Sequence, residues 1–123
     1  MRIAVCASDM DARYELSRLV DKALLLRGFP AEMSLFPTLA ELLEVTAEGK
    51  SIFELVFVTN ARDAAALKTI CRRAHVILVG GKDDGPAAFD IGARYFIEAP
   101  VNRDELDRAL TRCLSVRKKE TVI

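Results

Sequence analysis

The chain has 123 residues, 51% of them hydrophobic and 29% charged, which suits one packed domain and excludes a disordered chain. Eighteen Lys and Arg balance eighteen Asp and Glu, so no global field draws the chain to nucleic acid or acidic lipid. No apolar run approaches the ~18 residues of a membrane span. The run at residues 3–7 ends at Ser8-Asp9, too soon for the apolar part of a signal peptide. A cytoplasmic location is expected.

The first predicted strand is residues 2–7, RIAVCA, a continuous apolar run of the kind buried on both faces. Asp9 or Asp11 can cap the helix that follows, in which Leu16, Leu19, Val20, Ala23 and Leu24 recur at helical spacing up to Gly28. Residues 30–36 read as a weaker strand. Thr38 with Glu41 three residues on is a capping-box pattern, and Leu39, Leu42 and Leu43 form the apolar stripe of a helix that Gly49 ends. FELVFVT at 53–59 is the third strand, and residues 60–73 are helical. HVILV at 75–79 is the fourth strand, followed by Gly80-Gly81 and the loop KDDGP. A short helix spans 87–91, and the fifth strand spans 94–98. Asn102, with Glu105 at the matching third position, opens a last helix whose core face is Leu106, Ala109, Leu110, Cys113 and Leu114. The remainder, from residue 116, reads as a polar tail or the start of a linker, which places the domain at 1–115.

Strands alternating with helices imply a parallel sheet with helices on both faces. Five such units predict a flavodoxin-like, doubly wound (βα)5 fold with a five-stranded sheet. Its functional site belongs outside the carboxyl ends of the strands. Those ends are Ala7-Ser8-Asp9, Phe36-Pro37, Thr59-Asn60, Gly80-Gly81 and Ala99-Pro100. They hold one carboxylate, two hydroxyls and one amide, which build neither a nucleophile with its base nor a metal cage. No cofactor, metal or catalytic residue is expected. The three cysteines, Cys6, Cys71 and Cys113, form no CxxC pair and read as small buried hydrophobes; the only histidine, His75, reads as structural.

Several segments resemble the receiver domain of bacterial response regulators. RIAVCASD resembles a receiver's first strand, most closely in the LytTR-type regulators, FELVFVT the third and HVILVGG the fourth. AAFDIGARYFIEAPVNRDEL follows the pattern A-F-x-x-G-A-x-x-Y-x-x-K-P-x-x-x-x-E-L, with Gly92, Ala93, Phe96, Pro100 and Leu106 in step. The resemblance covers residues 1–115 and departs from the family at each phosphate-handling position. The acidic pair falls on Ala7 and Ser8, with Asp9 beside them, and the phosphoacceptor aspartate falls on Thr59. The switch hydroxyl falls on Gly80 and the phosphate-binding lysine on Ala99, and the turn after the third strand is several residues shorter.

The resemblance therefore implies a non-enzymatic, phosphorylation-independent interaction module. Its contact face, from the predicted fourth helix, fifth strand and last helix, would hold Phe89, Asp90, Arg94, Phe96, Val101, Arg103, Asp107 and Arg108, with Phe96 at the family's aromatic switch position. The partner would be another protein or a second copy. DNA would be reached only through an output domain outside this segment, and no membrane contact is expected. Two alternatives stay open. Cys6 could accept phosphate, as in sugar-phosphotransferase IIB components, although Ala7-Ser8-Asp9 supplies no glycine to cradle the anion; a tyrosine-phosphatase loop would want an arginine six positions after the cysteine, where Ala12 stands, with Arg13 one place on. Gly80-Gly81 and Gly85 could admit a small ligand close to the backbone.

Overall fold

The computed structural model describes residues 1–47, 53–70, 74–81 and 95–121. In chain order the elements are β1 (Arg2–Cys6), α1 (Met10–Leu26), β2 (Glu32–Phe36), α2 (Leu39–Ala47), β3 (Leu55–Val58), α3 (Ala61–Ile70), β4 (His75–Gly80), β5 (Tyr95–Glu98) and α4 (Arg103–Thr121). The five strands are all parallel, in the order β2-β1-β3-β4-β5. This is the flavodoxin-like, doubly wound arrangement. The chain moves outward from β1 to β2, returns, and then moves the other way through β3, β4 and β5, so the order reverses between β1 and β3.

Strand alternation divides the core in two. Ile3, Val5, Phe57, Ile77, Val79 and Ile97 point to one face of the sheet, where Leu16, Val20 and Leu24 of α1 and Leu106, Leu110 and Cys113 of α4 cover them. Ala4, Cys6, Val56, Val58 and Leu78 point to the other, under Leu42 of α2 and Ala64 and Leu67 of α3. The strands read as unbroken apolar runs because both of their faces are buried.

Each described helix begins on a polar side chain that accepts backbone N–H groups. Asp9 accepts from Ala12 at 2.9 Å, and Thr38 from Glu41 at 3.3 Å. Asn60 accepts from Arg62 at 2.8 Å, and Asn102 from Asp104 at 2.7 Å. These bonds satisfy donors that the first helical turn leaves without intrahelical partners. At the other end of α1, Gly28 adopts φ +80, a left-handed conformation that glycine takes without a Cβ penalty. Gly28 N–H donates to Leu25 at 3.0 Å and Phe29 N–H to Leu24 at 2.9 Å, which is a Schellman closure. Arg27 then ties α1 to α4: its guanidinium donates to the Asp107 carbonyl at 2.8 Å and to Thr111 Oγ1 at 2.7 Å, and it lies 3.8 Å from the Asp107 carboxylate.

The structure moves several expected boundaries. β2 starts at Glu32, since Pro30 cannot donate to a ladder. β4 takes in Gly80, and β3 stops at Val58 and leaves Thr59 in the turn. α4 continues to Thr121, through the segment expected as a polar tail. That stretch holds no Gly or Pro, and its Arg and Lys suit the negative end of a helix. The short helix at 87–91, the fifth strand's start at Arg94, the loop with Gly85, and Gly49, Cys71, Phe89 and Asp90 lie outside the described residues. Ala99-Pro100 is a cis peptide bond.

Phe57 is fully buried in the centre of the larger cluster. Phe57→Ala should cost about 3–5 kcal/mol, read as a lower urea midpoint with an unchanged slope.

Candidate functional site

The carboxyl ends of β1, β3, β4 and β5 surround a cavity of about 410 Å³. Ser8, Asp9, Thr59, Gly80, Gly81, Ala99 and Pro100 form its rim, and it reaches down between α1 and Val101 to Leu16, Leu19 and Val79. The positions that sequence comparison groups as a degenerate phosphate site are thus brought together here, apart from Ala7. Ala7 is buried just beneath, and its carbonyl accepts from the Arg13 guanidinium at 2.8 Å. Arg13 also lies over the Tyr14 ring, 5.8 Å from its centroid. It does not line the cavity.

The polar groups of this edge are few and mostly engaged. Asp9 holds the α1 N-terminus, and Asn60 holds that of α3. Thr59 is followed at once by Asn60 and then by α3, so no loop follows β3. Among the described residues no group of three His, Cys, Asp or Glu side chains is placed to hold a metal ion. No described helix is long and apolar enough to cross a membrane.

No protein-family model and no curated protein matches the chain. Solved structures do. The response regulatory domain of the protein mrkE from Klebsiella pneumoniae is 14% identical, with 97% of this chain and 99% of that one covered and a TM-score of 0.79. A response regulator receiver domain protein from Clostridium thermocellum is 17% identical over 95% of this chain and 96% of that one, at a TM-score of 0.76. An atypical orphan response regulator, described as having a phosphorylation-independent regulatory mechanism, is 18% identical over 94% and 96%, at 0.68. The chain has the receiver-domain fold.

On this receiver fold the expected contact face is only partly assembled. Phe96 is half-buried and packs against the cluster under α2 and α3. Val101 is half-buried, packs against the other cluster and also lines the cavity. Arg108 is exposed on α4. Asp107 departs from the expectation, because its carboxylate and carbonyl face Arg27 at the end of α1. Helical geometry gives the reason. At about 100° per residue, Arg103, Asp107 and Thr111 follow one another along the flank that meets α1. Glu105, Arg108 and Arg112 follow along the other flank. Phe89 and Arg94 lie outside the described residues.

Two features were missed from the sequence. Glu15 joins Asp9 on the cavity, and Leu16 and Leu19 serve as its floor as well as core. The spacing Ala12, Glu15, Leu16, Leu19 carried the signal, since those positions share one helix face.

Cys6 turns away from the cavity into the α2–α3 cluster and is 1% exposed. Its thiol is raised from 9.0 to about 11, chiefly by burial and then by the nearby Asp63, with Arg13 acting against both. Burial also raises the carboxyl of Asp63. A phosphate acceptor must be a thiolate, so this environment opposes that alternative for Cys6.

A thiol raised by folding favours the folded state while it is protonated in both states. That contribution is full below pH 9 and is lost as pH rises from 9.0 toward 11. Wild-type stability should therefore fall by up to about 1.4 kcal/mol per pH unit in this window relative to Cys6→Ala, measured by urea unfolding at each pH. At pH 7 Cys6 should resist alkylation in the folded chain and react in urea, as mapped by mass spectrometry.

Proposed function

We propose that the chain is a receiver-like signalling module that works by protein contact and without aspartyl phosphorylation. The observation that carries this reading is the composition of the strand-end cavity, where Ser8, Asp9, Thr59, Gly80 and Ala99 meet with Asp9 as their one carboxylate, Glu15 of α1 as a second in the lining, and no cation among the described residues. Mg²⁺ retains several waters and is anchored by one or two carboxylates; here Ala7 and Ser8 stand where the acidic pair is expected, and Asp9 is occupied as a helix cap. Thr59 offers an alcohol, a weak nucleophile without an adjacent base. Ala99 supplies no charge to pair with a phosphoryl group. Likeness to an orphan regulator described as phosphorylation-independent supports the same reading.

The module is taken as residues 1–115, closest to the LytTR-type receivers, with residues 116–123 a polar tail or the start of a linker; any DNA contact would need a separate output domain. The partner is a protein, either a second copy or another regulator. It would meet Phe96, Val101 and Arg108 together with Phe89 and Arg94, the exposed flank of α4 extending this face through Glu105 and Arg112. On this reading the module acts by contact and carries no catalytic role.

Two experiments test these claims. The amide spectrum should be unchanged by Mg²⁺ with beryllofluoride, and Thr59→Asp should stay unlabelled by acetyl phosphate because carboxylates and lysine are still absent. Coordinated shifts at Asp9, Thr59 and Gly80, or a labelled Thr59→Asp protein, would sink the phosphate-independent reading. Arg108→Glu, an exposed change that should leave stability within about 0.5 kcal/mol, should weaken self-association or partner binding in sedimentation. If association is untouched by Arg108→Glu and by Phe96→Ala, the face is ordinary surface and core.

A further inference from the structure

We infer that the cavity at the carboxyl ends of the strands is a binding site for a small organic cation, an amine or amidinium carried on an apolar body. Its volume of about 410 Å³ falls within the range of small-molecule pockets, roughly 300–1,000 Å³. Its walls are unlike those of a phosphate cradle. Leu16, Leu19, Val79 and Val101 make an apolar floor, and the charged side chains among the described lining residues, Asp9 and Glu15, are both carboxylates. No Lys, Arg or His lines it among the described residues. Arg13, one position from Ala12, is committed to the Ala7 carbonyl and the Tyr14 ring, and acts electrostatically on Cys6 on the far side of the sheet.

The α1 N-terminus would ordinarily attract an anion. Here Asp9 accepts the Ala12 N–H and places a carboxylate over that positive end. An anion entering the cavity therefore meets the like charge of Asp9 and Glu15. A cation meets Asp9 and Glu15 at the rim, with the hydroxyls of Ser8 and Thr59 beside them, while its apolar part covers the leucines and valines below. The small side chains of this edge, Gly80, Gly81 and Ala99, leave the space open. This inference draws on the same cavity as the proposed function, but its test reads ligand-induced shifts there, whereas that reading is tested by the response to beryllofluoride and by association of the α4 flank.

The test is an amide NMR titration of the full chain with three probes of one shape: benzylamine, benzyl alcohol and benzoate. Benzylamine should give saturable shifts at Leu16, Leu19, Val79, Gly80 and Val101. Benzyl alcohol should bind the same place roughly two- to fivefold more weakly, the range of a solvent-facing ion pair, and benzoate more weakly still. Added salt should narrow the gap between amine and alcohol. Glu15→Gln should weaken benzylamine and leave benzyl alcohol unchanged. Ala12→Leu, at an exposed helical position, should fill the mouth and abolish the shifts while the rest of the spectrum stays in place. Absence of saturable shifts overturns the site. Equal binding of amine and alcohol, or benzoate binding as tightly as the amine, overturns the ligand class. Shifts that persist in Ala12→Leu place binding elsewhere and also overturn the site.

Discussion

A parallel sheet whose two faces are both buried sets the terms for the rest of this molecule. Parallel strands can be joined only by crossovers, and the described crossovers, α1, α2 and α3, are helices that cover the two faces. Every strand leaves the sheet at the same edge, and β1, β2, β3 and β5 turn within a few residues into a helix. At each described turn of this kind a side chain caps the helix that follows: Asp9, Thr38, Asn60 and Asn102. These caps are worth about 1 kcal/mol each, and they stand where the fold concentrates functional groups.

That coincidence limits the chemistry of the edge. A side chain that caps a helix is held in one geometry and has already given an oxygen to backbone N–H groups. Asp9 illustrates the conflict. As a cap it orders α1, and α1 supplies Leu16, Val20 and Leu24 to the larger core. To act as a metal ligand it would have to share that role. The shortness of the β3–α3 connection has a similar effect. With Asn60 already capping α3, Thr59 has no loop through which further groups could reach it.

The sheet and its covering helices were legible because burial on both faces writes unbroken apolar runs, and because capping residues and Gly28 mark helix ends in sequence. The site was legible only as far as topology carries. Placing Ser8, Thr59, Gly80 and Ala99 together needs no more than the strand order and the rule that sites lie at the carboxyl ends. Glu15 and the floor of Leu16 and Leu19 were not read, because a helix pattern reports that a residue faces inward and not whether it meets a neighbour or a void. Asp107 was assigned to the contact face through the family resemblance alone, and nothing in the local pattern showed that Arg27, eighty residues earlier in the chain, engages it. The end of α4 was lost because Arg117, Lys118 and Lys119 read equally well as a solvated tail and as a good helix terminus.

The cavity and the expected contact face meet at Val101, which lines the one and leads into α4, where the other lies. The two ends of α1 differ in how they hold the molecule. At its C-terminus, Arg27 fastens it to Asp107 and Thr111 of α4 through two short hydrogen bonds. At its N-terminus Ala12, Glu15, Leu16 and Leu19 line the cavity together with Pro100 and Val101, which precede α4. A molecule seated there would fill space between α1 and the start of α4, whereas the Arg27 junction would be left as it is. If filling that space changes the setting of α4, the energy involved is bounded by the ligand's difference in affinity for the two settings. By the same linkage, a partner on the α4 flank would change ligand affinity by an equal factor. Under the proposed reading, occupancy of the acid-rimmed cavity and a partner on α4 would then be coupled without a covalent bond.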